Sequence, residues 1–350
     1  MFILLLFRFV YSEPVSDNKK GGNAINSQSY ATSKPNRPNR FKSIVKEMKK
    51  NKVLLSMLVP GLIILLINNY LPMFGILLAF KDFKFTSDNF FTSLLASDWV
   101  GFKNFEFFTK SIYAYTITRN TLLYNGAFII LTLVTAIPAA ILMNELRNSM
   151  LAKFYQSAML LPQFLSWVVV GILAFSFLSM DMGFINKNVL APLGIDPILW
   201  YNEPRYWPYI LPLVHIWKTL GYYSIIFLAG ITGIDSEIYE AAVIDGASKT
   251  KQIFYITIPL LFPLMIILTL LQIGRVFYAD FGLFYQTTQN SGILYSATNV
   301  IDVYVYNALR VTGDASMAAA VGLYQATAGF ILVITSNWIV KRINKDSALF

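Results

Sequence analysis

The chain has 350 residues, of which 56% are hydrophobic and 13% charged, and its mean hydropathy is +0.54. A soluble domain carries roughly a quarter charged residues, so this composition argues against an ordinary globular enzyme and for a protein whose main solvent is lipid. The absence of cysteine and the single histidine, His215, exclude disulfides, thiolate metal sites and cysteine nucleophiles and leave little for imidazole chemistry.

The net charge of +9 is concentrated at one end. Residues 1–52 hold eleven of the 28 basic and three of the 19 acidic residues, leaving 17 against 16 for the rest. A nucleic-acid-binding domain would spread Lys and Arg over a folded face. Here they precede a long apolar run, which is a topology signal. Phe2 to Val10 is apolar but short, holds Arg8 and lacks a small-residue cleavage site, which argues against a signal peptide. Residues 12–40, rich in Ser, Asn, Pro, Lys and Gly, have the composition of a disordered tail.

Six apolar runs follow, at 53–80, 120–144, 154–180, 206–234, 252–279 and 315–340. About 20 residues cross the hydrocarbon core as a helix, so each is long enough to span, and the fold class expected is an all-α membrane protein with six transmembrane helices. The first run contains Pro60, Gly61 and Pro72 with Asn68, Asn69 and Tyr70 between them. It reads either as a kinked packing helix or as a substrate-binding one. The domain division expected is a basic tail over 1–52, a six-helix transmembrane body over 53–340 and a short tail over 341–350.

Orientation follows from Lys and Arg near the helix ends. With the N-terminus cytoplasmic, inside segments hold Lys42, Lys46, Lys49, Lys50, Lys52, Arg147, Lys153, Lys249, Lys251, Lys341, Arg342 and Lys345. Outside segments are longer in total and hold fewer. Both termini are therefore expected inside. One inside loop, 235–251, runs against the rule with four acids and two lysines, so something other than topology fixes its composition.

That loop reads Asp235-Ser-Glu-Ile-Tyr-Glu240-Ala241-Ala242-Val-Ile-Asp245-Gly246-Ala-Ser248, and continues through Ile256 to Ile258-Pro259. Asp235 or Ser236 can cap a short helix whose first turn is acidic, Gly246 can end it, and Ser248 can cap a second helix entering the fifth span. The expected product is a helix–glycine–helix elbow. Ile238, Ala241, Ala242 and Asp245 fall on one side of the first helix, a small-residue face that another protein could approach closely. A membrane-surface helix would prefer basic and bulky apolar residues, so docking into a protein groove is favoured.

The spacing Glu240-Ala241-Ala242, Gly246, Ile256 and Pro259 resembles the EAA signature of permease subunits of binding-protein-dependent ABC importers, with Ile258 where that family usually has Leu. The similarity extends over roughly 45–345. It is greatest to the carbohydrate branch, maltose-permease-like and LplB-type permeases for complex sugars, through Leu58-Val-Pro60-Gly61, Tyr70-Leu-Pro72-Met-Phe-Gly75, Ala79-Phe-Lys81-Asp82-Phe83, Ser166-Trp167-Val-Val and Ile301-Asp302-Val-Tyr304. The resemblance implies a type I importer permease fold whose elbow is a coupling helix seated in a cytoplasmic ATPase. Glu240 and Asp245 would make polar contacts there, Ala241 and Ala242 would permit close approach, and Gly246 would set the bend. It also implies ATPase partners, a second permease subunit, an external solute-binding protein and a carbohydrate cargo, with no enzymatic activity, cofactor or metal of its own. Asp245-Gly-Ala-Ser-Lys-Thr lacks the second glycine of a phosphate-binding loop.

Candidate contacts along a transport path are Asn68, Tyr70, Asn125, His215, Lys218, Tyr222, Tyr223 and Gln272. A lysine in mid-span should face protein or water, so Lys218 and His215, three residues apart, form either a polar patch on the solute route or an internal packing contact. Arg275, close to a span end, can snorkel. Two competing functions are an intramembrane transferase and a non-transporting scaffold or sensor. The first lacks a paired acid and base, since Asp181, Asp280, Asp302 and Asp314 lie outside the spans; neither explains the elbow.

Overall fold

The computed structural model describes residues 50, 52–85, 89–146 and 148–343. The basic tail before residue 50 and the end after 343 lie outside them, as do Lys42, Lys46, Lys49, Arg147 and Lys345 of the orientation argument. The described residues divide into two units, one up to Phe74 and one from Gly75.

In the first unit, helix α1 (Lys52–Leu65) keeps Pro60 inside it and passes into a wider π turn over Leu66–Tyr70. Asn68 Nδ2 donates to Ile64 O at 3.0 Å, satisfying a carbonyl in the loosened ladder. A 3₁₀ stretch over Leu71–Phe80 leads into the second unit. Strands β1 (Lys81–Asp82) and β2 (Asp98–Trp99) then pair antiparallel, with Lys81 opposite Trp99.

The second unit is built on helices α2 (Ile112–Asn144), α3 (Ser149–Phe164), α4 (Trp167–Leu178), α5 (Trp207–Thr232), α6 (Ser236–Ile244), α7 (Ile258–Ile273), α8 (Phe281–Thr287), α9 (Ile301–Arg310) and α10 (Ala315–Ile343). Their starts carry the capping chemistry that orphan N–H groups require. Ser111 Oγ accepts from Tyr113 N, Asn148 Oδ1 from Met150 N, Ser166 Oγ from Val169 N and Asp280 Oδ1 from Gly282 N. Among the described residues five helices are long and apolar enough to cross a membrane, or six if the bent pair α3 and α4 is one span.

That pair corrects the sequence expectation of an unbroken span over 154–180. The two helices meet at 97°. Pro162 sits in the last turn of α3, and Leu165 and Ser166 are extended, with ψ of 136° and 152°. The chain therefore turns before Ser166 restarts the helix. The second span also begins earlier than expected, at Ile112, and α7 of the fifth span ends at Ile273 rather than 279.

Within lipid, helices gain little from expelling water, so close packing holds them together. α2 packs along α5, and α3 on α5. Gly221 of α5 lies so near Met159 that an added Cβ would stand 2.0 Å from the Met159 carbonyl oxygen. One core cluster joins Tyr124 and Phe128 of α2 to Trp207 and Leu211 of α5 and Leu283 and Phe284 of α8; another joins Ile137, Phe227, Ile231 and Leu261.

Candidate functional site

The segment after α5 is a helix, a left-handed glycine and a second helix. Asp235, extended at ψ 127°, accepts a hydrogen bond from Glu237 N at 3.0 Å and starts α6. Its carboxylate and that of Glu237 stand at the positive end of the helix dipole. At the other end, Ala247 N donates to Ala242 O at 2.8 Å and Gly246 N to Val243 O at 3.0 Å. This pair of bonds is the Schellman closure, which requires the residue between them to be left-handed. Gly246 has φ +77°. Ser248 Oγ then accepts from Lys251 N and starts Lys249–Gln252, which continues through a π turn over Ile253–Thr257, containing Ile256, into α7 with Pro259 near its start.

Glu240, Ala241, Asp245 and Gly246 are exposed, and Ala242, Ile256 and Pro259 are half-buried. Beside them, Ile244 is 86% exposed and Val243 59% exposed. These two were not singled out in the sequence, although a β-branched apolar pair on an otherwise small and acidic helix was there to be seen.

The elbow is fastened to the bundle on its inner side. The Tyr239 hydroxyl lies 2.9 Å from Thr257 Oγ1, and Lys249 Nζ lies 3.4 Å from Glu145 Oε1 at the end of α2. Gln252 Nε2 donates to Ala247 O at 3.0 Å across the bend. A cavity of about 210 Å³ remains between these links and the ends of α2 and α5.

The candidate path residues of the second unit do not gather in one place. In the first unit, Asn68 is spent on its own helix and Tyr70 is exposed. In the second, His215 stacks on Phe128 of α2 at 3.9 Å between ring centroids. Lys218 points elsewhere: it is 5% exposed, and its Nζ donates to Pro162 O, Gln163 O and Leu165 O at the broken end of α3. The ammonium also lies 5.0 Å from the centre of the Trp167 ring, so it stabilises both sides of the 97° bend. Asn125 Nδ2 donates to Val276 O at 2.8 Å. Tyr223 of α5 and Gln272 of α7 are brought close enough to interact, with Tyr222 packed edge-on against Tyr223.

Three of the four carboxylates weighed for a transferase have structural partners. Asp280 caps α8, Asp314 accepts from Met317 N, and Asp302 accepts from Ala279 N at 2.7 Å and from Gln325 Nε2. Burial raises the Asp302 carboxyl from its ordinary value, against the opposing pull of those donors. Among the described residues no group of three His, Asp or Glu side chains could hold a metal ion.

Residues 136–345 match the family described as binding-protein-dependent transport system inner membrane component. The chain is 32% identical over 299 residues to Protein LplB of Bacillus subtilis, covering 85% of this chain and 92% of that protein. It is 34% identical over 312 residues to the polygalacturonan/rhamnogalacturonan transport system permease protein YteP of the same organism, covering 87% and 92%. Its fold is similar to a chain in the crystal structure of a bacterial ABC transporter involved in the import of the acidic polysaccharide alginate. There the TM-score is 0.77 at 29% identity, covering 86% of this chain and 99% of that one. With its long apolar helices, this protein is a multi-pass member of the family of inner membrane components of binding-protein-dependent transport systems.

Proposed function

We propose that the chain is one permease half of an ATP-driven importer for oligosaccharides, and that its elbow is the coupling helix. The observation that carries the reading is the exposed outer face of α6. Its closure at Gly246 presents Ala241 and Asp245 to a partner, with Ile244 86% exposed beside them. An apolar anchor ringed by small and acidic residues suits a groove in another protein better than a lipid surface. The partners are then a pair of cytoplasmic ATPase subunits, a second permease subunit and an external solute-binding protein. The elbow and both termini lie in the cytoplasm, and Lys341 and Arg342 in the last turn of α10 fit that orientation.

Support for a sugar cargo comes from the relatives, whose names refer to polygalacturonan and rhamnogalacturonan and to alginate. Within this chain the polar groups offered to a sugar are Tyr222, Tyr223 and Gln272, close together across α5 and α7. Lys218 holds the bend instead.

Replacing Gly246 by Trp should leave the protein in the membrane and abolish ATP-driven uptake. Because the chain has no cysteine, Ala241→Cys would supply its sole thiol. Crosslinks from it should reach the ATPase subunit. Normal uptake in the first variant, or no crosslink from the second in a working transporter, overturns the coupling assignment.

A further inference from the structure

Where α2 and α5 begin, at the end remote from the elbow, they part around a cavity of about 470 Å³. Its inner lining is apolar, with Leu123 and Ala127 from α2 and Pro208 and Pro212 from α5. Toward the helix starts it is lined by two guanidinium groups, those of Arg119 and Arg205.

These cations are weakly neutralised. Arg119 donates to Asn120 Oδ1 at 3.0 Å and, more weakly, to Ser296 O at 3.4 Å, and lies over the Tyr115 ring. Arg205 pairs through Nε with Glu203 at 3.3 Å and stacks on Tyr206, its side chain 70% exposed. Glu203 is thus one carboxylate against two guanidinium groups, and no acid lines the cavity itself.

The mouth of the cavity stands at the edge of the apolar run of α2. Residues 120–144 carry no charge and are long enough to cross the hydrocarbon, and Arg119 immediately precedes them, at the boundary where headgroups begin. Arg119 is on its second turn, and Arg205 just precedes α5. A sugar acid could also meet the guanidinium groups, but its hydroxyls would find few partners below them. Asn120 already gives its amide to Ser296 O and Asn299 O, and the Tyr124 hydroxyl donates to Ala297 O. Two cations above an apolar floor fit an anionic amphiphile.

We propose that this cleft binds an anionic phospholipid from the leaflet opposite the elbow, with its phosphate between Arg119 and Arg205 and the start of an acyl chain along Leu123, Ala127 and Pro208. Paired guanidinium groups favour phosphate for their planar, multidentate donors, and basic pockets between membrane helices select anionic headgroups. The proposal depends on neither the cargo nor the elbow's partner, so lipid retention and uptake can fail separately.

The test is native mass spectrometry of the full chain released from mild detergent with added dioleoylphosphatidylglycerol or dioleoylphosphatidylcholine. One phosphatidylglycerol should be retained in preference, by about fivefold for each arginine. The double variant Arg119→Gln with Arg205→Gln should lose the preference, and Lys187→Gln, a cation outside the cleft, should keep it. Should the double variant lose its helicity, Arg205→Gln alone, at an exposed side chain, should still lower the preference about fivefold. Equal retention of the two lipids, a preference surviving in the double variant, the same loss in Lys187→Gln, or displacement of the lipid by free galacturonate would each overturn the assignment.

Discussion

The Tyr239 hydroxyl stands 2.9 Å from Thr257 Oγ1, so the first helix of the elbow is tied to the π turn that opens the fifth span. Thr257 is buried and Tyr239 half-buried, which shields the bond from water. Under the proposed coupling role, a push on α6 would reach α7 through a side-chain link as well as through the backbone at Gly246. Tyr239→Phe removes that link without changing shape, at a cost of about 1 kcal/mol. In the reconstituted transporter, uptake per ATP hydrolysed should fall while ATP hydrolysis continues; an unchanged ratio would show that the backbone alone transmits the movement.

Gly246 separates two explanations for a glycine. An added Cβ would meet nothing within 4 Å, but φ is +77°. The requirement is conformational, and volume is not the obstacle. Gly246→Ala forces an L side chain into the left-handed region at about 1–2 kcal/mol, and asparagine tolerates that region better. Uptake should rank glycine, then Gly246→Asn, then Gly246→Ala. If the two variants behave alike, the bend is not set by this φ.

The elbow could be read from the chain because its determinants are local: a carboxylate that caps, a glycine that closes, a serine that restarts the helix. The long spans were readable for a similar reason, since charge-free runs need no partner to be recognised. The 97° break in the third span was missed although Pro162 and Ser166 were in view, because its stability depends on Lys218, more than fifty residues away. The same holds for α8 and α9, which lie in a connector without a long apolar run. Their buried residues Leu283, Phe284, Ile301 and Val303 pack within the connector and also against distant helices, on Tyr124, Phe128, Trp207 and Leu211 in one cluster and on Ile117 and Val321 in another. Likewise His215 and Lys218 share a helix and a spacing, but which neighbour each meets is set by tertiary packing.

Lys218→Met keeps most of the side-chain stem and removes the donor group. The carbonyls of Pro162 and Gln163 in the last turn of α3 and of Leu165 just past it would then lose a shared partner, with only Pro162 O keeping a second donor, Leu165 N. Leaving buried carbonyls unpaired costs about 1–3 kcal/mol, so the thermal unfolding midpoint in detergent should fall. The fluorescence of Trp167, whose ring centre is 5.0 Å from the ammonium, should change with it. If the midpoint holds and transport is lost, Lys218 serves the solute path and not the bend.

Gly221 and Gly126 offer a paired test of how closely the helices must approach. A Cβ at Gly221 would stand 2.0 Å from the Met159 carbonyl oxygen and 2.3 Å from its carbon, both backbone atoms that no rotamer change can move aside. At Gly126 of α2 the same atom would meet nothing within 4 Å. Gly221→Ala must therefore push α3 away from α5, at a cost of about 1–3 kcal/mol or more. That displacement would also disturb the end of α3 held by Lys218. The expected outcome is a lower melting midpoint and poor recovery of folded protein for Gly221→Ala. Gly126→Ala should be neutral or slightly stabilising, since alanine favours the helix by about 1 kcal/mol. Equal midpoints for the two variants would mean that α3 and α5 do not pack at this distance in the membrane.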